Sequence, residues 1–138
     1  MSWIVAGLIG GVVAWLADWV LWSKVFTKGM EDLADKLSPE EMKRFMGPAM
    51  AKSAFLALAF GLVFTFLYAQ FKGALWVAGG GPIAGMEFAT VLWLPTIALM
   101  TVGSGVWYTK ARGLLQANFW AWLIRMNLVG ALVGVLMK

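Results

Sequence analysis

The stretch WIVAGLIGGVVAWLADWVLWSKVF (residues 3–26) decides the fold class. It runs apolar without a charge until Asp18, and its next charge is Lys24. As a helix, about 24 residues reach about 36 Å, enough to cross ~30 Å of hydrocarbon with some tilt. The run lacks a basic n-region and a small-x-small cleavage site, so it reads as a retained span, not a signal peptide. Asp18 is the anomaly. A carboxylate in such a setting needs a partner or a task.

The rest of the chain repeats the pattern. Of 138 residues, 62% are hydrophobic and 13% charged, with a mean hydropathy of +0.80. A soluble domain is about 25% charged, and one soluble core cannot hide this much apolar surface. Further apolar runs cover about 48–71, 85–108 and 114–137. The expected fold is all-α: a single membrane-embedded four-helix bundle over 1–138. The chain has no Cys and no His. That excludes disulfides, thiolate nucleophiles, histidine-ligated haem and most zinc sites. No cofactor and no metal is expected. The net charge of +4 does not indicate nucleic acid, because most basic residues lie beside the apolar runs, where they report orientation.

Lys24, Lys28, Lys36, Lys43, Arg44 and Lys52 cluster around the first connection, and Lys110 and Arg112 lie in the third. The opposite side carries only Lys72 and Lys138. The positive-inside rule then places loops 27–47 and 109–113 in the cytoplasm and both termini outside. In LSPEEMKRFM (37–46), Ser38, Pro39 and Glu41 spell a capped helix start. Met42, Phe45 and Met46 share one face, as do Met30, Leu33 and Leu37 upstream. This predicts a short amphipathic helix on the cytoplasmic membrane face, or a solvated hairpin, ending at Gly47-Pro48. KGALWVAGGGPIAG (72–85) is glycine-rich, but no Gly-Lys-Ser/Thr follows and no strand precedes it, so it reads as a flexible or partly re-entrant loop.

Three charges within or near the spans carry the functional question: Asp18, Glu87 and Arg125. Side chains on a helix lean toward its N-terminus. Spans one and four run in opposite directions, so Asp18 and Arg125 lean toward each other's depth. They are expected to pair, through two hydrogen bonds if geometry allows. Both sit in a similar setting, AWLAD (14–18) and AWLIR (121–125), with Trp15 and Trp122 three residues before the charge. Trp122 is placed to stack on the guanidinium. Asn118, two turns before Arg125, extends the same polar line. Gly7, Gly11, Ala14 and Asp18 share a face, and Gly130 and Gly134 repeat the four-residue spacing, so both faces are expected to pack closely.

Span three has a polar stripe of Glu87, Thr90, Thr101, Ser104 and Tyr108, with Pro95 between. It lines either a small polar cavity or a helix–helix seam; Glu87 lies near the outer interface, where water can solvate it. Nine Trp are present. Trp3, Trp22, Trp76, Trp107 and Trp120 fall near expected interfaces, as aromatic belts do. Trp15, Trp19, Trp93 and Trp122 lie deeper, as packing or as pocket lining.

With WSKVF (22–26) closing an aromatic-ended first helix, the LSPEEM segment (37–42) and a last helix rich in small residues, the chain resembles a family of small uncharacterised bacterial four-helix integral membrane proteins. The resemblance implies a polytopic protein of the bacterial inner membrane and carries no activity or site residue with it.

Three functions are compatible with these residues. The preferred one is a non-enzymatic membrane protein, self-associating or an accessory subunit of a larger complex. Its partners are the lipid bilayer and a second copy or another membrane chain. The second is a small-molecule or ion transporter, or a carrier of an apolar ligand, with its site at Asp18 and Arg125. The third is a lipid-acting enzyme with Glu87 or Asp18 as acid–base and Tyr108 or Arg125 stabilising charge.

Overall fold

The computed structural model describes residues 1–25 and 38–138. Among them every regular element is helical. Helix α1, Trp3–Val20, starts at Ser2, whose hydroxyl accepts from the Val5 amide at 3.3 Å. It continues into one wide turn, Leu21–Val25. Helix α2 spans Pro39–Phe71, α3 Pro82–Trp93, α4 Leu99–Trp107 and α5 Arg112–Leu136. A wide turn over Leu94–Ala98 joins α3 to α4. Four helices are thus long and apolar enough to cross a membrane: Trp3–Val25, Pro39–Ala74, Pro82–Trp107 and Thr109–Leu136. No more than 33% of the most apolar window of each is buried inside the molecule. Most of the apolar surface, Phe55, Leu56, Val63, Leu99 and Val102 included, therefore faces outward.

The start of α2 differs from expectation. Ser38 and Glu41 do form the reciprocal cap: the Ser38 hydroxyl accepts from the Glu41 amide at 3.2 Å and the Glu41 carboxylate from the Ser38 amide at 3.2 Å. The helix they launch, however, does not stop at Gly47-Pro48; Pro48 lies inside α2. There is no separate short helix over 39–47. The reason is steric. Proline disfavours helix for the residue before it partly through a clash with that residue's Cβ, and Gly47 has none. One lost hydrogen bond is then outweighed by continuation on both sides. At 1.5 Å per residue α2 is about 50 Å long, some 20 Å more than the hydrocarbon it would cross. Its first turns carry the charged residues Glu40, Glu41, Lys43 and Arg44. The expected face of Met30, Leu33 and Leu37 lies outside the described residues.

The helices assemble as two tight pairs. In the first, Gly7 and Gly11 of α1 meet Gly61 of α2 backbone to backbone; a Cβ on Gly11 would lie 2.7 Å from Leu58 Cα. In the second, Gly85 of α3 faces Gly130 of α5, and Gly81 faces Gly134. Thr90 adds a side-chain tie to this second seam, its hydroxyl donating to Asn127 Oδ1 at 3.2 Å, while Asn127 Nδ2 donates to Leu123 O at 2.9 Å. Small residues permit this approach, and close packing is what holds helices together where the surroundings are apolar as well. The pairs then join in several places. Gly10 of α1 lies against Val129 and Val133 of α5. On the other side large rings bridge a wider gap: Phe64 and Tyr68 of α2 meet Phe88 of α3 edge to face at 5.2 and 5.6 Å. Phe64, Tyr68, Val129 and Val133 are almost fully buried and form the centre of the core.

Pro95 sits in the wide turn between α3 and α4. Lacking an N–H, proline breaks the regular ladder, and the widened turn relieves the clash of its ring with the preceding carbonyls. The Thr96 hydroxyl donates to Leu92 O at 2.6 Å, and the Leu99 amide bonds back to Leu94 O. Beyond this turn α4 buries none of its residues. The close seam of α3 and α5 is not continued by α4, and a groove opens between α4 and α5.

Candidate functional site

Asp18 and Arg125 meet. Asp18 lies on α1 two turns after Gly11, and Arg125 lies on α5 one turn from the buried Ala121 and Val129. Both therefore face the contact of α1 with α5. Arg125 Nη1 is 2.9 Å from Asp18 Oδ1. The Trp122 ring covers the guanidinium, its centroid 3.5 Å from Cζ, and Phe60 of α2 stands 5.4 Å from it. Trp122 and Phe60 contact each other edge to face at 5.7 Å. Three helices thus enclose one cation. A carboxylate neutralises it on one side, and the electron-rich faces of two rings cover the other. The two charges are unequally sheltered: the Arg125 side chain is 11% exposed and that of Asp18 35%. The pair is joined through Nη1, and the buried Nε has no hydrogen-bond partner among the described residues. The fork is therefore not used through Nε.

Trp15 does not mirror Trp122. Its indole N–H donates to Ser53 Oγ at 2.9 Å, and that hydroxyl donates on to Met50 O at 3.0 Å. Trp15 ties α1 to α2 while Trp122 covers the cation. The similarity of AWLAD and AWLIR thus does not extend to similar contacts. Asn118 is half-buried within α5, and its side chain makes no hydrogen bond to another described residue.

The polar stripe of the third span separates into different jobs. Thr90 belongs to the α3–α5 seam through Asn127. The Thr101 hydroxyl turns back on its own helix and donates to Ile97 O. The Ser104 carbonyl accepts the amide of Tyr108, which lies exposed at the end of α4. Glu87 does more than meet solvent. Its carboxylate accepts from two successive amides of the loop before α3, Trp76 at 2.7 Å and Val77 at 2.9 Å. The loop then turns through Gly79, Gly80 and Gly81, with φ of 87°, 73° and 89°, values that only glycine adopts without strain. Hydrogen bonds to a carboxylate are worth about 1.5–3 kcal/mol. Glu87→Gln removes one acceptor and the charge. It is expected to raise the hydrogen-exchange rate of the Trp76 and Val77 amides at least tenfold, about 1.4 kcal/mol of local opening, without unfolding the helices. Unchanged protection at both amides would sink this role.

The groove between α4 and α5 has a volume of about 580 Å³. Thr101, Val102, Gly105 and Val106 line one wall; Arg112, Leu115, Gln116, Phe119 and Trp120 line the other. Arg112 lies across its end, Nε donating to Gly105 O at 3.1 Å. Of these residues the polar stripe contributed Thr101. The others were not read as site residues (Arg112 only as an orientation charge, Trp120 only as an interface ring), because they become neighbours only where α4 leaves the line of α3. Phe60 and Ser53 escaped sequence reading too, as an ordinary ring and hydroxyl of span two. Asn127 carried a usable signal: it stands one turn before Gly130, on the close-packed face.

The deep tryptophans also divide. Trp93 is buried, donating to Phe119 O at 3.2 Å and meeting the Phe119 ring at 4.7 Å, whereas Trp19 faces outward. Among the described residues no group of Asp and Glu could hold a metal ion. Comparison with known proteins adds no relative: no family model, no curated protein and no solved structure matches the chain.

Proposed function

We propose that this chain is an integral membrane protein of the bacterial inner membrane that acts as a non-enzymatic structural unit, self-associating or seated as an accessory subunit in a larger membrane complex. The observation that carries this reading is the shelter of Arg125. Its charge is met by Asp18 and capped by Trp122 of its own helix and by Phe60 of a third, an arrangement suited to fixing how α1, α2 and α5 sit together. Paired charges of this kind are well used for register. The outward apolar surface supports the bilayer as solvent. The positive-inside rule supports cytoplasmic loops at 27–47 and 109–113 and termini outside. The resemblance to small bacterial four-helix membrane proteins supports the location.

The chain has no cysteine, so single cysteines report topology cleanly. In intact cells, Ala78→Cys is expected to react with a membrane-impermeant maleimide, and Lys110→Cys only after permeabilisation. The reverse pattern overturns the orientation, and release of the protein by carbonate washing overturns the embedding. The structural role is read from mass in mild detergents: a dimer or larger species, or a co-purifying membrane chain, is expected. A lone monomer in each detergent would count against it.

One observation favours a second reading, a carrier of a small molecule or ion at the same pair. Arg125 Nε is buried without a partner and the Asp18 carboxylate remains partly exposed. Density for a bound molecule touching both groups in an experimental map would favour the carrier; side chains alone in that space would favour the structural unit.

A further inference from the structure

We infer that the groove between α4 and α5 holds one anionic phospholipid of the cytoplasmic leaflet, its acyl chain along Val102, Val106, Leu115 and Phe119 and its phosphate at Arg112. The inference rests on the proposed membrane embedding and orientation. Its volume, about 580 Å³, falls in the range of small-ligand sites. Its lining is graded. Toward Phe119 it is apolar, and the Thr101 hydroxyl there is already committed to Ile97 O. Gln116 stands one turn into α5, at the level where ester carbonyls would lie. Arg112 closes the end, and its bond to the Gly105 carbonyl fixes the side chain over the groove through Nε alone. No acidic side chain among the described residues pairs with it.

Charge selects the occupant. Lys110 lies in the same short connection, and the sequence from residue 88 to residue 138 contains no Asp or Glu. A zwitterionic headgroup gains less at such an end than an anionic one. Basic pockets between spanning helices on the cytoplasmic side bind anionic headgroups. From Arg112 to Phe119 the helix rises about 10 Å, roughly a third of the hydrocarbon thickness. The groove therefore takes the headgroup-proximal part of an acyl chain. Val102, Val106 and Trp120 are exposed along it, so a lipid can enter sideways from the bilayer.

The test is native mass spectrometry of the full chain in mild detergent, with phosphatidylglycerol and phosphatidylcholine of identical acyl chains. Phosphatidylglycerol is expected to be retained about fivefold better, the value of one basic residue at a lipid headgroup. Arg112→Gln should bring the two lipids level. Gly105→Leu fills the groove, since a Cβ there meets only Leu115 Cδ1, at 3.9 Å. It should lower retention of both lipids while the helical melt is unchanged. Equal retention of the two lipids by the parent overturns the proposal, as does selectivity that survives Arg112→Gln. That second variant decides even where Gly105→Leu misfolds. Equal retention by a parent protein that resists carbonate washing sinks this inference alone; release by carbonate sinks the embedding beneath it.

Discussion

Asp18→Asn is expected to lower the unfolding free energy of the detergent-solubilised protein by about 3 kcal/mol, the lower end of the cost of stranding one partner of a buried ion pair. Arg125→Gln is expected to cost less. The asymmetry follows from shelter. Asp18→Asn leaves a guanidinium that is 11% exposed and cannot give up its proton. It keeps only the faces of Trp122 and Phe60, which attract a sheltered cation by roughly 2 kcal/mol. Arg125→Gln leaves a carboxylate that is 35% exposed and so keeps part of its hydration. The double variant removes both charges, so it should be no worse than Asp18→Asn alone. Unfolding followed by circular dichroism supplies all four corners of the cycle. Additive losses would show that the two side chains act independently, and the tie between α1 and α5 would then have to be sought in Gly10 and its valine neighbours.

Sequence reading went furthest where one physical constraint acted alone. The four long apolar helices were legible because about 24 apolar residues in a row have few other uses. That Asp18 and Arg125 meet was legible because charges in two opposed apolar helices lean toward a common depth. Trp122 over the guanidinium followed from its place three residues earlier on the same helix. What the pair is for was not legible, since a tie and a ligand floor need the same residues. Reading failed where the outcome depended on which neighbour stands closer. Trp15 has the same local text as Trp122, yet Ser53 of α2 is within reach and takes its N–H. Gly47-Pro48 has the letters of a helix stop, but the missing Cβ of Gly47 lets α2 run through. Glu87 looked like a solvated end group until the loop folded its amides back onto it. The α4–α5 groove depends on a change of course at Pro95 whose direction no local pattern encodes.

Two glycine-to-alanine changes on the third span should move stability in opposite directions. In a helix interior, alanine is favoured over glycine by about 0.8–1.0 kcal/mol. At Gly103 a methyl group meets nothing within 4 Å, so Gly103→Ala should stabilise the protein by up to that amount. At Gly85 the methyl runs into the carbonyl of Gly130, and backbone cannot rotate away as a side chain can. Gly85→Ala must part α3 from α5. That loosens the Gly81–Gly134 approach, the Thr90–Asn127 hydrogen bond and the seat of Trp93 on Phe119. We expect a loss of about 3 kcal/mol, the upper end of ordinary overpacking, read as a lower melting temperature in one detergent. Gly130→Ala should do the same from the other side. Combining the two should cost less than their sum, because the first methyl has already opened the seam the second would strike. If Gly85→Ala instead melts like Gly103→Ala, α3 and α5 are not in backbone contact. The pairing of these helices would then have to come from the Thr90–Asn127 hydrogen bond and the contact of Trp93 with Phe119.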